Sequence, residues 1–215
     1  MTGQKNVMRA LLREHGRTYA AEAGIRLRDT PQPLYRTLVL ATLLSARIRA
    51  SVAVSTARAL YEAGLRDPRR MADATWQQRV DALGAGGYRR YDERTATQLG
   101  DGARLLLDDF AGDLRTMRKQ ADGDVDELRA LLRRTPGLGA TGADIFLREV
   151  QDVWTEYAPF LDTKALEGAE RLGLPREPAA LTRLAKGASH AELAAALVRA
   201  ALDQRVADDC LARAG

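Results

Sequence analysis

Apolar residues recur at intervals of three and four along almost the whole chain, and strict alternation of apolar and polar residues is scarce, so the pattern predicts an all-α protein. An amino-terminal helix is expected around Lys5 to Ala23, followed by a loop through Asp29-Thr30-Pro31-Gln32-Pro33, where two prolines end the segment. Further helices are expected near Leu34 to Ala46, Ser51 to Ala63, Asp67 to Ala74 and Thr75 to Leu83, the last opening on a Thr75-x-x-Gln78 capping box. Others follow near Arg89 to Phe110, Asp124 to Arg134, Ala140 to Tyr157 and Asp162 to Gly173, with two more reaching the end. Ser189 and Glu192 form a second capping-box pattern before the apolar run Leu193 to Leu202. No internal repeat or low-complexity tract interrupts the series.

One junction stands apart. Thr135 to Ala143 reads Thr-Pro-Gly-Leu-Gly-Ala-Thr-Gly-Ala and lies between two apolar-periodic stretches, Val125, Leu128, Leu131 and Leu132 before it and Ile145, Phe146, Val150 and Val153 after it. Pro136 stops the first helix, and Gly137 and Gly139 permit a tight reversal. Without side chains there, a phosphate can approach the backbone, and the amides opening the next helix carry partial positive charge. A helix-hairpin-helix of this kind can hold a nucleic-acid backbone without reading its sequence. Pro-Gly-x-Gly is also an ordinary helix stop, so the turn alone leaves both readings open.

Four segments in order resemble the helix-hairpin-helix DNA glycosylase superfamily, the group containing endonuclease III and the adenine glycosylases. The hairpin is similar to the family's Leu-Pro-Gly-Val-Gly. Leu38 to Arg47 ends in Leu-Leu-Ser-Ala-Arg where the family has Leu-Leu-Ser-Ala-Gln. Gly87-Tyr88 resembles its Gly-Tyr segment, and Leu161-Asp162-Thr163 its Val-Asp-Thr. The resemblance covers roughly residues 33 to 174. It implies a two-lobed helical glycosylase-like fold with a central cleft: residues 33–157 form the lobe containing the hairpin, and 1–32 with 158–215 form the second. It also implies base-excision repair, with double-stranded DNA carrying a damaged or mismatched base as partner and one nucleotide extruded for hydrolysis of its N-glycosidic bond. The other reading is a non-catalytic DNA-binding or lesion-recognition protein that retains the hairpin.

Under that resemblance Asp162 is the catalytic carboxylate, a fixed anion beside the oxocarbenium-like centre formed as the base leaves. Asp162 before Thr-Lys-Ala-Leu-Glu is equally a helix N-cap, and both roles are compatible. Gly137, Leu138, Gly139 and Thr141 would contact the DNA backbone, and a monovalent cation bridging hairpin carbonyls to a phosphate is implied. Arg47, at the position of the family glutamine, would fill the space left by the extruded nucleotide; otherwise it is a surface cation at a helix end. Arg89 and Arg90, in Tyr88-Arg89-Arg90-Tyr91, would lie along a strand or form an exposed helix start. Tyr88, Tyr91, Trp154 and Tyr157 are candidates to stack on the base or to sit in the core.

The departures set the expected chemistry. The family's strand-cleaving lysine matches Thr141, which cannot form a Schiff base, so a monofunctional enzyme without lyase activity is expected. Lys164, two residues past Asp162, is the amine that could substitute; a phosphate contact or solvent exposure is its alternative. Gly142, where the family often has Thr, and Ala50, where it has a polar residue, depart from the pattern as well. A single cysteine, Cys210, cannot ligate the four-cysteine iron-sulfur cluster of many relatives, so no cluster is expected, and His15 and His190 lack metal-ligand spacing.

Composition adds little to this. A net charge of +4 permits DNA binding without requiring it, though nearly all the cations are arginines, lysine occurring only at 5, 119, 164 and 186. Many of these arginines are expected on solvated helix faces paired with Asp or Glu. The uncharged run Thr37 to Ala46 is too short to span a bilayer and the amino terminus lacks a signal-peptide pattern, so a soluble, cytoplasmic monomer is expected.

Overall fold

Helix starts in this chain are written by short polar side chains, and the structure uses most of them. A computed structural model describes residues 2–213, with no strand among them. The helices are α1 (Thr2–His15), α2 (Tyr19–Glu22), α3 (Pro31–Leu44), α4 (Ala50–Glu62), α5 (Pro68–Asp73), α6 (Trp76–Ala85) and α7 (Asp92–Phe110). They continue as α8 (Leu114–Ala121), α9 (Val125–Arg133), α10 (Ala140–Val150), α11 (Thr163–Arg171), α12 (Pro178–Leu184), α13 (His190–Leu202) and α14 (Gln204–Ala212). Asp67, Asp113, Asp124, Asp162 and Asp203 each accept a hydrogen bond from an amide in the first turn they precede. Both capping boxes, Thr75 with Gln78 and Ser189 with Glu192, form reciprocally.

Several expected boundaries move. The amino-terminal helix stops at His15 rather than Ala23: Gly16 closes on Leu12, whose carbonyl oxygen would lie 2.5 Å from any Cβ placed there. Pro31 begins α3 instead of ending a loop, because a first-turn position needs no N–H. Helix α8 was not anticipated, since its apolar signal is only Leu114, Met117 and Ala121 among eight mostly polar residues. After Val150 the chain turns and makes one 3-10 turn at Thr155–Tyr157, so the expected helix to Tyr157 is shorter. Three helices rather than two follow α11.

The chain divides into two compact units, Ala20–Phe146 and Met1–Tyr19 with Leu147–Gly215. In the first unit α3 is buried nearly all round, with Leu34, Tyr35, Leu38, Val39, Leu40, Ala41 and Leu43 at most 3% exposed. Helices α4 and α8 pack on it, and α6 and α7 pack on one another. Gly86 is required where α6 ends against α4, because a Cβ would sit 2.2 Å from the Thr56 Cα. Arg79 is not on a solvated face. It is buried, donating to the carbonyls of Met71, Ala74 and Ala96, and desolvation lowers its pKa.

The second unit is built around α13, an Ala-rich helix with Leu193, Ala194, Ala196, Leu197, Val198 and Ala200 buried. Against it lie α1, α11 and α14. The contact with α11 is close because Gly168 has no side chain: a Cβ would lie 1.9 Å from the Leu197 carbonyl oxygen. Cys210 is buried in this core. No helix among the described residues is long and apolar enough to cross a membrane.

Candidate functional site

Residues that cannot take a side chain shape the hairpin. Gly137 holds φ +85°, the left-handed region, and a Cβ there would meet Oε1 of Gln98 at 2.8 Å. Leu138 folds inward, 2% exposed, and its amide donates to the Thr135 carbonyl. Its side chain occupies the space over Gly142, where a Cβ would lie 2.7 Å from Leu138 Cδ1 and 3.5 Å from Ser45 Cβ. A side chain at 142 would therefore displace Leu138. Leu138, one of the residues expected at the DNA backbone, has its side chain buried in the turn and its amide bonded to the Thr135 carbonyl.

What the turn leaves open is the start of α10. Gly139 occupies the cap position and accepts from the Ala143 amide, but it has no side chain to return to the first turn. Among the described residues no acceptor is found for the amides of Ala140, Thr141 and Gly142. In seven other helices an Asp, Ser or Thr side chain in that place accepts an amide of the first turn. Gly137, Gly139, Ala140 and Thr141 are exposed, and a Cβ at Gly139 would meet open space. The result is an uncapped, solvent-facing helix N-terminus of the kind that attracts an anion. An Arg129–Asp144 ion pair at 2.8 Å ties α9 to α10 and holds the two arms of the turn.

The structure brings the Leu-Leu-Ser-Ala segment to this turn, since Ser45 lies against Gly142, and Arg47 follows two residues later with its side chain exposed. Arg89 and Arg90 are exposed in the turn leading into α7, with the Arg90 guanidinium 5.4 Å from the Tyr91 ring centre. The aromatic candidates divide. Tyr88 is buried with its hydroxyl 3.1 Å from Thr95 Oγ1, and Trp154 and Tyr157 are buried with their rings 6.3 Å apart. Those three are core residues, and Tyr91 alone among them is part-exposed.

In the other unit, Asp162 caps α11 through Oδ1, which accepts the Ala165 amide at 3.0 Å. Its second oxygen, Oδ2, accepts from Arg148 Nη1 at 2.6 Å, and the two side chains are only 10% and 9% exposed. Sequence reasoning missed Arg148. The available signal was a cation inside the apolar period Ile145, Phe146, Leu147 and Val150, where a buried charge needs a partner. Gln151 fixes the connection between the two: Nε2 donates to the carbonyls of Arg148, Phe160 and His190, and Oε1 accepts the Phe160 amide. Lys164 is turned to Glu167, with which it forms a half-exposed ion pair.

The two donors fix the orientation of the Asp162 carboxylate, and the Arg148 charge offsets part of its field. No protein-family model matches the sequence. No curated protein matches it either. Among solved structures, a trapped endonuclease III–DNA covalent intermediate, the estranged-adenine complex, is similar at 18% identity, covering 75% of this chain and 70% of that chain, with a TM-score of 0.47.

Proposed function

We propose that the chain is a base-excision DNA glycosylase that grips the sugar–phosphate backbone at the hairpin and hydrolyses the N-glycosidic bond of an extruded, damaged or mismatched base. The observation that carries this reading is the hairpin: an uncapped, exposed start of α10 behind a Gly-x-Gly turn, in a chain that caps most of its other helices with side chains. Exposed Arg47, Arg89 and Arg90 supply further backbone contacts, and Arg47 is the side chain assigned to the space an extruded nucleotide leaves. Asp162 supplies the anion that stabilises positive charge developing on the sugar. With threonine at 141 and Lys164 engaged by Glu167, water is the nucleophile and an abasic site is the product. A monovalent cation at the hairpin carbonyls remains part of the proposal, and no organic cofactor is needed.

A second reading has its own observation. Both Asp162 oxygens are occupied, one by a full positive charge, which is how a purely structural cap would look. On that reading the protein binds DNA through the hairpin and releases no base.

Gly139→Asp tests the grip. The new side chain enters open space and completes an N-cap, so folding stability should be unchanged or slightly raised. Its carboxylate also competes with phosphate for the open amides. Duplex affinity should fall at least about tenfold, with the slope of log Kd against log salt lower by about 1 to 2. Unaltered affinity would remove the hairpin from the proposal.

A further inference from the structure

A segregated run of positive charge lies in the unit that contains residues 147–215. A groove of about 910 Å³ there is lined by Lys5, Arg9, Arg13, Arg17, Arg183 and Lys186. Glu192 is its one acidic lining residue, and that carboxylate is committed to the capping box with Ser189. Across the whole chain Lys and Arg number 33 against 29 Asp and Glu, so six cations to one acid is a local enrichment and not the average surface.

The cations are ordered as well as numerous. Lys5, Arg9 and Arg13 recur at every fourth residue on α1, which sets them on one face about 6 Å apart along the axis. The row from Lys5 to Arg13 spans about 12 Å, the advance of three to four nucleotides of one strand. Arg17 extends it past the helix end, where the Arg17 carbonyl is fixed by Arg199 Nη2 at 2.9 Å. Arg183 and Lys186 come from the end of α12 and the turn after it. All six side chains belong to exposed residues.

Ordinary helix electrostatics do not account for the row. Cations favour a helix C-terminus, yet Lys5 lies near the start of α1, whose first turn has no acidic residue. Nor do ion pairs account for three of the six: among the described residues no carboxylate lies within 4.0 Å of the Lys5, Arg183 or Lys186 charge, and the Arg13–Glu14 pair is well exposed. Such a pair is weak and readily exchanged for a better anion.

We propose that this groove is a second DNA-backbone track, distinct from the hairpin, which holds a run of phosphates along α1 with Arg183 and Lys186 on the opposite side. The choice of DNA over another polyanion rests on the function proposed above; the track itself rests on the charge and spacing of these six residues. Its effect is to add sequence-independent affinity, independent of the hairpin grip.

Fluorescence anisotropy with a labelled 30-base-pair duplex over a salt series tests it, on the wild type, on Gly139→Asp, and on Lys5→Gln/Arg9→Gln/Arg183→Gln/Lys186→Gln. The four substituted side chains are exposed, and circular dichroism melting confirms the fold. The groove variant should bind at least about tenfold more weakly, with the salt slope lower by about 0.9 for each phosphate contact removed. An unchanged slope would overturn the proposal. So would tighter binding of a single-stranded RNA of equal length, or complete displacement of the duplex by millimolar pyrophosphate, which would mark a small-anion pocket. Loss of affinity in the groove variant with none in Gly139→Asp would uphold the track and remove the hairpin grip.

Discussion

Replacing Arg148 by Met keeps the length of the apolar stem and removes the charge facing Asp162. In the wild type the pair is 2.6 Å apart with each side chain about nine-tenths buried. After the substitution Asp162 retains the Ala165 amide and loses its only side-chain cation among the described residues. Breaking a buried pair from one side costs about 3 to 5 kcal/mol, because the remaining charge stays desolvated and uncompensated. The tenth of each side chain that meets solvent places this pair at the lower end, about 3 kcal/mol, or roughly 6–12 °C in melting temperature for a chain of this size. Asp162→Asn alone leaves the arginine in the same position and should cost a comparable amount. Removing both charges relieves both penalties, and Asn still caps a helix, so the double variant should be more stable than the sum of the singles by at least about 1.5 kcal/mol. Urea unfolding of the four proteins, followed by far-ultraviolet circular dichroism, measures this coupling. Additivity within about 0.5 kcal/mol, or a loss below about 1 kcal/mol in Arg148→Met, would refute the account of Asp162 as one half of a buried pair.

Gly142→Thr drives a side chain into Leu138. It should cost about 1–3 kcal/mol in urea unfolding and weaken duplex binding by loosening the turn; a neutral effect would show that Leu138 does not plug it. Gly168→Ala places a methyl on the Leu197 carbonyl, which can move only with α13, and should lower stability by about 3 kcal/mol, whereas a change below 1 kcal/mol would mean that α11 and α13 separate freely. The His15 pKa is lowered by burial and by the Arg199 charge. The unfolded chain therefore takes up this proton first as the pH falls, and stability is lost below about pH 6.5. Between pH 7 and pH 5 the urea midpoint of the wild type should fall further than that of His15→Gln, and parallel profiles would contradict the assignment.

What was legible in the sequence was what short-range chemistry specifies. The two capping boxes, the stop at Pro136 and the cap at Asp162 depend on residues within four positions of one another, and each formed. The helical class followed from periodicity. Partners distant in sequence were not legible. Arg148 reads as one more arginine in a chain full of them until the turn at Gln151 brings it back to Asp162. Leu138 reads as a contact residue of the turn, because nothing in the local pattern says that Gly142 leaves a hole for it. The aromatic candidates failed for a related reason: Tyr88 and Trp154 lie at element ends, where burial is decided by what packs over them. The basic groove was missed because its two sides lie more than 160 residues apart.

The measurement closest to the central claim is base release from labelled duplexes carrying uracil, thymine or adenine mispairs, oxidised purines and pyrimidines, and alkylated purines. Each product is divided before and after alkali, with Asp162→Asn run beside the wild type after its fold and duplex affinity have been verified. The account predicts alkali-dependent cutting at one class of lesion, reduced by roughly a hundredfold or more in Asp162→Asn. No release from any duplex by a wild type that binds DNA normally would contradict it and leave the non-catalytic reading; cutting without alkali would contradict the assignment of water as the nucleophile and point first to Lys164.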